Sequence, residues 1–242
     1  MKKSTMMLTG GAAVILIILI ALISFFRMSA DRFIKFAGDS EETVEQTGII
    51  ETKEMVFDKF DSLYFTSVWD VKIIEGDEYK VILTADKAII NELEVAKSGS
   101  RLSFSYDKYL RGVSSGSNNV VKAEIILPDL SEINFSGLGN LTIHDLHLDN
   151  LTINNSGASN IEAENVVIDQ LELIVNGAAN AELGNIEIKN CHLNISGAAN
   201  IELNMTGGKL TGQVSGAASV VYSGTVTEES VAVSGIGSLS RK

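Results

Sequence analysis

Three glutamates recur at the same place in a repeated stretch of this sequence, and their carboxylates are the side chains best suited to chemistry. Glu162, Glu182 and Glu202 are spaced 20 residues apart. If the repeats stack as coils, these carboxylates project outward about 4.8 Å from one another. Paired carboxylates serve glycoside hydrolysis, and a row of them can bind a cation or a basic partner. The row also fits a solvated acidic stripe that discourages edge pairing, which is the interpretation we favour.

The other reactive side chains do not form a catalytic or metal-binding pattern. The regular repeats contain no arginine before Arg241 to act with the glutamates, so we predict no catalytic residue. His144 and His147 are three residues apart, which places them on opposite faces of a strand and disfavours a shared metal ion. Cys191 is the single cysteine, so no intramolecular disulfide forms. It aligns with leucines of the other repeats and is predicted to be buried. We predict no metal and no cofactor.

Overall charge narrows the possible partners. The 242 residues include 31 acidic and 19 basic side chains, which gives a formal net charge of −12. A nucleic-acid partner is not expected, because binding to phosphates requires a basic surface.

A short glycine-centred motif recurs six times in the second half of the chain. The copies read SGLGN, SGASN, NGAAN, SGAAN, SGAAS and SGIGS, and successive copies are 20, 20, 20, 19 and 19 residues apart. A constant period of this length indicates a solenoid. We assign the first glycine of each copy to a structural corner, where glycine tolerates a positive φ and the following alanine fits a confined space. These glycines are Gly137, Gly157, Gly177, Gly197, Gly216 and Gly235.

Apolar residues within each repeat come in alternating pairs, which is the period of a strand with one buried side. Three short strands joined by tight corners use up 20 residues, whereas a strand and a helix with their loops would not fit. We therefore predict an all-β fold, a right-handed parallel β-helix with about 20 residues per coil. In the repeat around Gly157 the pairs are Leu151 with Ile153, Ile161 with Ala163, and Val166 with Ile168.

Asparagines occupy one equivalent position in four successive repeats. Identical amides on stacked strands can hydrogen-bond from one coil to the next, so we expect a structural ladder. A glycan-binding row is the alternative. The four residues are Asn140, Asn160, Asn180 and Asn200.

The amino-terminal region differs in character from the repeats. Within residues 1–30, the stretch 8–26 contains 19 residues without a charge. This pattern predicts an uncleaved signal anchor or transmembrane helix over residues 1–30, and a cleaved signal peptide is the alternative. Residues 31–47 read as an acidic linker. The β-helix domain spans residues 48–242. Its first part, 48–129, is irregular, and residues 130–242 form regular coils.

An early coil is expected within the irregular part. The segment FTSVWDVKI at 65–73 overlays FSGLGNLTI at 135–143. The single proline, Pro128, separates this part from the regular coils.

Several segments taken together resemble one bacterial family. They are WDVKIIEGDEYKVILTAD, RLSFSYD, IILPDLSEINFSG and the tandem SGAAN-type repeats. Over roughly residues 55–240 the sequence is similar to the putative auto-transporter adhesin, head GIN domain family. The resemblance implies a right-handed β-helical domain that is exported to the envelope or displayed outside the cell. It brings no established catalytic residue.

These observations lead us to expect a membrane-anchored, non-enzymatic β-helix whose carboxy-terminal domain is periplasmic or extracellular. Its expected partners are the membrane, through the amino-terminal helix, and an envelope glycan or envelope protein. One alternative is a self-associating scaffold of the cell envelope that forms homo-oligomers through its carboxy-terminal coil. Another is a polysaccharide-active β-helix enzyme that uses the three glutamates.

Overall fold

The computed structural model describes residues 47–106 and 121–242, which form an all-β solenoid. The predicted anchor, 1–30, lies outside the described residues. Within the two described ranges, no helix is long and apolar enough to cross a membrane.

The amino-terminal part of the described chain carries seven strands and a short helix. Their bounds are β1 Ile50–Val56, β2 Ser62–Phe65, β3 Val68–Glu75, β4 Lys80–Asp86, α1 Lys87–Ile90, β5 Glu94–Ser98, β6 Arg101–Ser105 and β7 Lys122–Leu127. Longer strands follow at nearly regular spacing. Their bounds are β8 Glu132–Phe135, β9 Leu138–His144, β10 His147–Asn155, β11 Ala158–Glu164, β12 Val167–Val175, β13 Ala178–Ile195, β14 Ala198–Thr206, β15 Lys209–Val214, β16 Ala217–Thr225, β17 Glu228–Val233 and β18 Ser238–Arg241.

These strands stack into two long faces, which we call the first and second sheets. The first sheet has the order β1-β4-β7-β3-β9-β11-β13-β14-β16-β18. The second has the order β5-β6-β2-β8-β10-β12-β13-β15-β17. Pairing is parallel except at the amino-terminal edges, where β1, β4 and β5 run antiparallel to their neighbours. A short third face joins the sheets, with Leu148, Ile168 and Ile188 in register.

The coils do not stack in chain order at the amino-terminal end. The first coil, β2 and β3, pairs with β8 and β9 on one side and with β6 and β7 on the other. The later segment β6–β7 therefore lies in front of the first coil. The predicted overlay of the early coil is confirmed, since Val68 pairs with Leu138 and Ile73 with Ile143. β1, β4, β5 and α1 close this end of the solenoid.

Inward side chains form one continuous apolar core along the solenoid. The alternating pairs predicted around Gly157 are all buried. At the amino-terminal end the core becomes aromatic, with Phe65 stacked on Phe104 at a centroid distance of 4.5 Å. Trp69 packs against both rings at steep angles. Asn155 is a polar exception; it is fully buried and donates to the carbonyl of Ala178 at 3.0 Å.

The corner glycines allow adjacent coils to approach closely. In the first four corners, from Gly137 to Gly197, a Cβ would lie 1.8 to 2.0 Å from a carbonyl oxygen of the preceding coil. Gly216 and Gly235 have a positive φ as well, 86° and 74°. We predicted that the corners need glycine for a positive φ. This is wrong for the first four corners, where glycine is required because the adjacent coil leaves no room for a Cβ.

Candidate functional site

The three predicted glutamates lie in one outward row of the first sheet. Glu162 pairs in register with Glu182, and Glu182 with Glu202, on consecutive parallel strands. Parallel strands in register place these residues about 4.8 Å apart along the solenoid. Thr142 and Val221 occupy the same position in the flanking coils, so the row is three glutamates long. We call it the acidic stripe.

Neighbouring side chains already donate to the acidic stripe. The amide of Asn180 donates to Oε1 of Glu182 at 2.9 Å. Nζ of Lys242 lies 3.5 Å from Oε2 of Glu202. In the part of the chain that the structure describes, no group of three or more His, Cys, Asp or Glu residues is placed to hold a metal ion. The stripe therefore presents separate, solvated carboxylates that a basic or hydroxyl-bearing partner could contact.

The asparagine row lies beside the acidic stripe on the same sheet. Asn160 donates to Oδ1 of Asn140 at 3.0 Å, and Asn200 donates to Oδ1 of Asn180 at 3.1 Å. The amide of Asn180 turns to Glu182 instead of to Asn160. Two of the three predicted ladder links are thus formed, and the third is replaced by a contact with the acidic stripe.

His144 and His147 lie on different faces of the solenoid. A corner separates them, with Asp145 in the left-handed region at φ 59°. Nδ1 of His144 lies 3.6 Å from Oε2 of Glu164, one coil further on. His147 is exposed at the start of β10 on the third face. The two imidazoles are kept apart by the corner between β9 and β10, whereas the spacing alone suggested opposite sides of one strand.

Cys191 is an interior residue of the second sheet. It lies in register with Leu171 and Leu210 and is 2% exposed. Burial raises the pKa of its thiol to about 12. The thiol is therefore neutral at physiological pH and does not act as a nucleophile, because the thiolate is the reactive form. The predicted burial is confirmed.

A groove on the second sheet is a candidate binding site that our sequence reasoning did not single out. It has a volume of about 320 Å³ and opens to solvent. Leu151, Leu171 and Cys191 lie between its walls, with side chains that are buried in the core. Its walls are two outward rows of polar residues, which are Asn150, Gln170, Asn190 and Lys209 in one row and Thr152, Glu172, His192 and Thr211 in the other. We call it the second-sheet groove.

Several polar groups of the groove are held in place by the fold. The amide of Asn190 donates to the carbonyl of Asp169 at 3.2 Å and accepts from the backbone N–H of Lys209 at 2.9 Å. Nδ1 of His192 lies 3.0 Å from Oγ1 of Thr211. These contacts limit the rotamers of one end of the groove, so its polar groups are oriented before any ligand arrives.

Charge in the groove is partly balanced. Nζ of Lys209 forms an ion pair with Glu228 at 2.7 Å. The hydrogen bond to Glu228 and its negative charge raise the pKa of Lys209, which therefore stays cationic at neutral pH. Glu172 accepts a long hydrogen bond of 3.4 Å from the hydroxyl of Thr152. The carboxylate of Glu172 therefore retains most of its capacity to accept hydrogen bonds from a ligand.

The groove arises where the alternation of buried and exposed residues breaks. Asp149 and Asn150 are consecutive exposed residues where β10 passes from the third face to the second sheet. Gln170 and Asn190 occupy the position equivalent to Asn150 one and two coils further on, where the alternation is interrupted in the same way. An interruption of the two-residue period at a fixed place in each repeat is the signal that could have located the groove from the sequence.

Comparison with protein families places the chain among known relatives. The model of the putative auto-transporter adhesin, head GIN domain, matches residues 59–187, more than half of the chain. The chain belongs to this family. The resemblance found in the sequence is thereby confirmed for this GIN domain. No curated protein matches its sequence.

Solved structures of low sequence identity resemble this GIN domain. A putative adhesin from Bacteroides fragilis is 20% identical, with a TM-score of 0.65 over 81% of this chain and 99% of the other. A putative lipid binding protein from Parabacteroides distasonis is 16% identical, with a TM-score of 0.52 over 83% of this chain and 100% of the other. Identities this low show that the three proteins share a fold, and nothing more specific.

Proposed function

We propose that this GIN domain is a non-catalytic binding module of the cell envelope, which presents the outer faces of its solenoid to a glycan or an envelope protein. The observation that carries this proposal is the register of its outward rows. Several successive coils carry a like side chain at the same outward position, as in the three glutamates of the acidic stripe from Glu162 to Glu202. Weak contacts repeated along such a surface add up through multivalency. Membership in a family described as adhesin heads supports the same function.

The proposed location is the outer side of the cytoplasmic membrane. In this proposal residues 1–30 are an uncleaved anchor, residues 31–47 are a linker, and residues 48–242 lie in the periplasm or outside the cell. The uncharged stretch 8–26 supports it, because 19 uncharged and predominantly apolar residues are long enough to span a bilayer. We also propose a right-handed winding, because crossovers between parallel strands are nearly always right-handed.

Protease accessibility tests the location. A carboxy-terminal tag on the full-length chain is followed while protease is added to intact bacterial cells and to spheroplasts. Cleavage in intact cells indicates surface display, and cleavage in spheroplasts alone indicates the periplasm. Protection in both, with cleavage after lysis, contradicts an extracytoplasmic domain.

Retention on envelope fractions tests the binding function. The full-length chain is passed over immobilised envelope polysaccharide and over immobilised envelope protein, and retention on either supports the proposal. A triple variant with Glu162→Gln, Glu182→Gln and Glu202→Gln asks whether the acidic stripe takes part. If this variant is retained as strongly as the wild type, the acidic stripe is a solvated face that takes no part in binding. Failure of the wild type to bind either fraction contradicts the binding function.

Self-association through the carboxy-terminal coil is the second candidate function. Within the described residues, β17 and β18 pair with the solenoid on one side only. Val233 and Ile236 beside them are 43% and 64% exposed. Glu229 and Arg241, however, occupy inward positions of this coil, where charge opposes the stacking of another apolar coil. The hydroxyl of Tyr222 donates to Glu229. These charges favour the first proposal.

Sedimentation of the full-length chain in detergent tests self-association. If copies associate through this coil, Ile236→Asp shifts the protein to the monomer. Leu138→Asp is the matched control, because Leu138 is 45% exposed at the equivalent corner position five coils earlier. A wild-type monomer at all concentrations contradicts this candidate.

A polysaccharide-active enzyme is the remaining alternative from the sequence. The family and the two structural relatives carry names of adhesins and of a lipid binding protein, not of enzymes. Release of reducing ends from envelope polysaccharide by the full-length chain would contradict the non-catalytic function. Loss of that release in the triple glutamate variant would then assign the acidic stripe as its site.

A further inference from the structure

The second-sheet groove is an open concavity, lined by polar side chains on both walls, that follows the axis of the solenoid. One wall carries an amide side chain in three successive coils, since Asn150 pairs in register with Gln170, and Gln170 with Asn190. Successive coils are about 4.8 Å apart. A ligand lying along the groove therefore meets an amide side chain at each of these three coils and Lys209 at the fourth.

The groove has both fixed and unoccupied hydrogen-bonding groups. Asn190 and His192 are fixed by bonds to their neighbours. The amides of Asn150 and Gln170 make no hydrogen bond to any part of the chain that the structure describes, although both line the groove. Glu172 has one long contact, from Thr152. The open end of the groove thus offers two amides and a carboxylate, each able to form paired hydrogen bonds.

We propose that the second-sheet groove binds an uncharged linear glycan that lies along the solenoid axis, with one sugar ring at each coil. This proposal rests on the proposed function and specifies its site and its ligand class. Amide and carboxylate side chains suit such a ligand, because adjacent hydroxyl groups on a sugar ring donate and accept in pairs. The coil spacing of about 4.8 Å is close to the length of one pyranose ring in a linear chain.

Other polymers fit the groove less well. A polyanionic chain is opposed by the net charge of −12 and by the carboxylate of Glu172 inside the groove. An extended peptide binds best along an open strand edge, where backbone groups are unpaired. Beneath the groove, β12, β13 and β15 are paired on both sides and β10 is paired with β8 from Thr152 onward, so the groove offers side chains and little free backbone edge.

Oligosaccharide titration of the full-length chain tests the assignment. The probes are cellohexaose and its N-acetylglucosamine counterpart, with polygalacturonate as the charged comparison. We expect binding of at least one uncharged probe and none of polygalacturonate. Gln170→Ala and Glu172→Ala each remove hydrogen bonds to the ligand, so we expect each to weaken binding about tenfold.

Glu187→Ala is the matched control for Glu172→Ala, because both residues are exposed glutamates on neighbouring strands, and Glu187 lies on the third face, outside both the groove and the acidic stripe. We expect the control to bind as the wild type does, and thermal unfolding of all variants monitors their folding. Equal binding by wild type and both groove variants overturns the groove assignment and leaves the proposed function standing. The same conclusion follows if neither uncharged probe binds but the full-length chain is still retained on an immobilised envelope fraction. If neither probe nor any envelope fraction binds, both proposals fail.

Discussion

Asp86 is joined to Thr47 by two hydrogen bonds, from the backbone N–H at 3.1 Å and from the hydroxyl at 3.0 Å. The same carboxylate accepts from the N–H groups of Gly48 at 2.7 Å and Ala88 at 2.8 Å. It is 5% exposed and caps α1 at its amino terminus. One side chain therefore holds the segment before β1 against the strands that close the solenoid.

Removal of this carboxylate is expected to loosen the amino-terminal edge selectively. In Asp86→Ala, Thr47 and Gly48 lose their attachment to the end of β4, so amide exchange at the start of β1 becomes faster by on the order of tenfold or more. The regular coils keep their protection. Hydrogen exchange followed by mass spectrometry measures both. The control is Asp58→Ala, an exposed aspartate outside this cluster. Equal exchange of β1 in the two variants would contradict this role.

The same carboxylate is expected to make stability depend on acid. Burial raises the pKa of Asp86, but the N–H donors of Ala88, Thr47 and Gly48 and the Thr47 hydroxyl outweigh burial and lower the pKa below 3.8. A carboxylate with a lowered pKa in the folded state stabilises that state fully above its unfolded pKa, and the contribution is lost as the pH falls through the folded value.

Denaturant unfolding of wild type and Asp86→Asn across pH 2 to 7 measures this dependence. We expect the difference between their midpoints to be constant from neutral pH down to about pH 4 and to shrink below it. A difference that persists unchanged at the lowest pH would mean that the charge of Asp86 does not contribute.

The close approach of the coils is tested at two glycines. A Cβ at Gly177 would lie 2.0 Å from the carbonyl oxygen of Gly157, whereas one at Gly184 would come no nearer than 3.5 Å to a Glu202 oxygen. Because backbone atoms of a stacked coil cannot move aside independently, Gly177→Ala is expected to lower the free energy of unfolding by at least about 2 kcal/mol. Gly184→Ala is expected to change it by less than about 0.5 kcal/mol. Denaturant unfolding compares them, and equal effects would refute the steric explanation.

Cys191 is expected to report unfolding of the central coils. Its thiol is buried and has a pKa of about 12, so alkylation requires the coil to open. The labelling rate with a thiol reagent should rise at least about 100-fold on denaturation. Cys191→Leu should lower the free energy of unfolding by no more than about 3 kcal/mol, since it adds volume to a packed core at a position that Leu171 and Leu210 fill in adjacent coils. Rapid labelling of the native protein would place the thiol at the surface.

Much of the fold could be predicted because a constant period forces equivalent residues into register. Glu162, Glu182 and Glu202 were predicted to stack from spacing alone, and their strands pair as expected. The exchange of one ladder link for a contact between Asn180 and Glu182 was not predicted, because both partners compete for the same amide and side-chain rotamers decide the outcome.

The sequence by itself determined the solenoid, its inward residues and the family, because periodic burial and repeated motifs are local properties of the chain. Only the tertiary structure decided that β6 and β7 lie in front of β2 and β3, since that order depends on pairing between distant segments of similar apolar pattern. It also decided the second-sheet groove. The break in the two-residue period marks its place, but the rows of Asn150 and Thr152 enclose a concavity only through the angle at which each coil turns its corner, which that period does not encode.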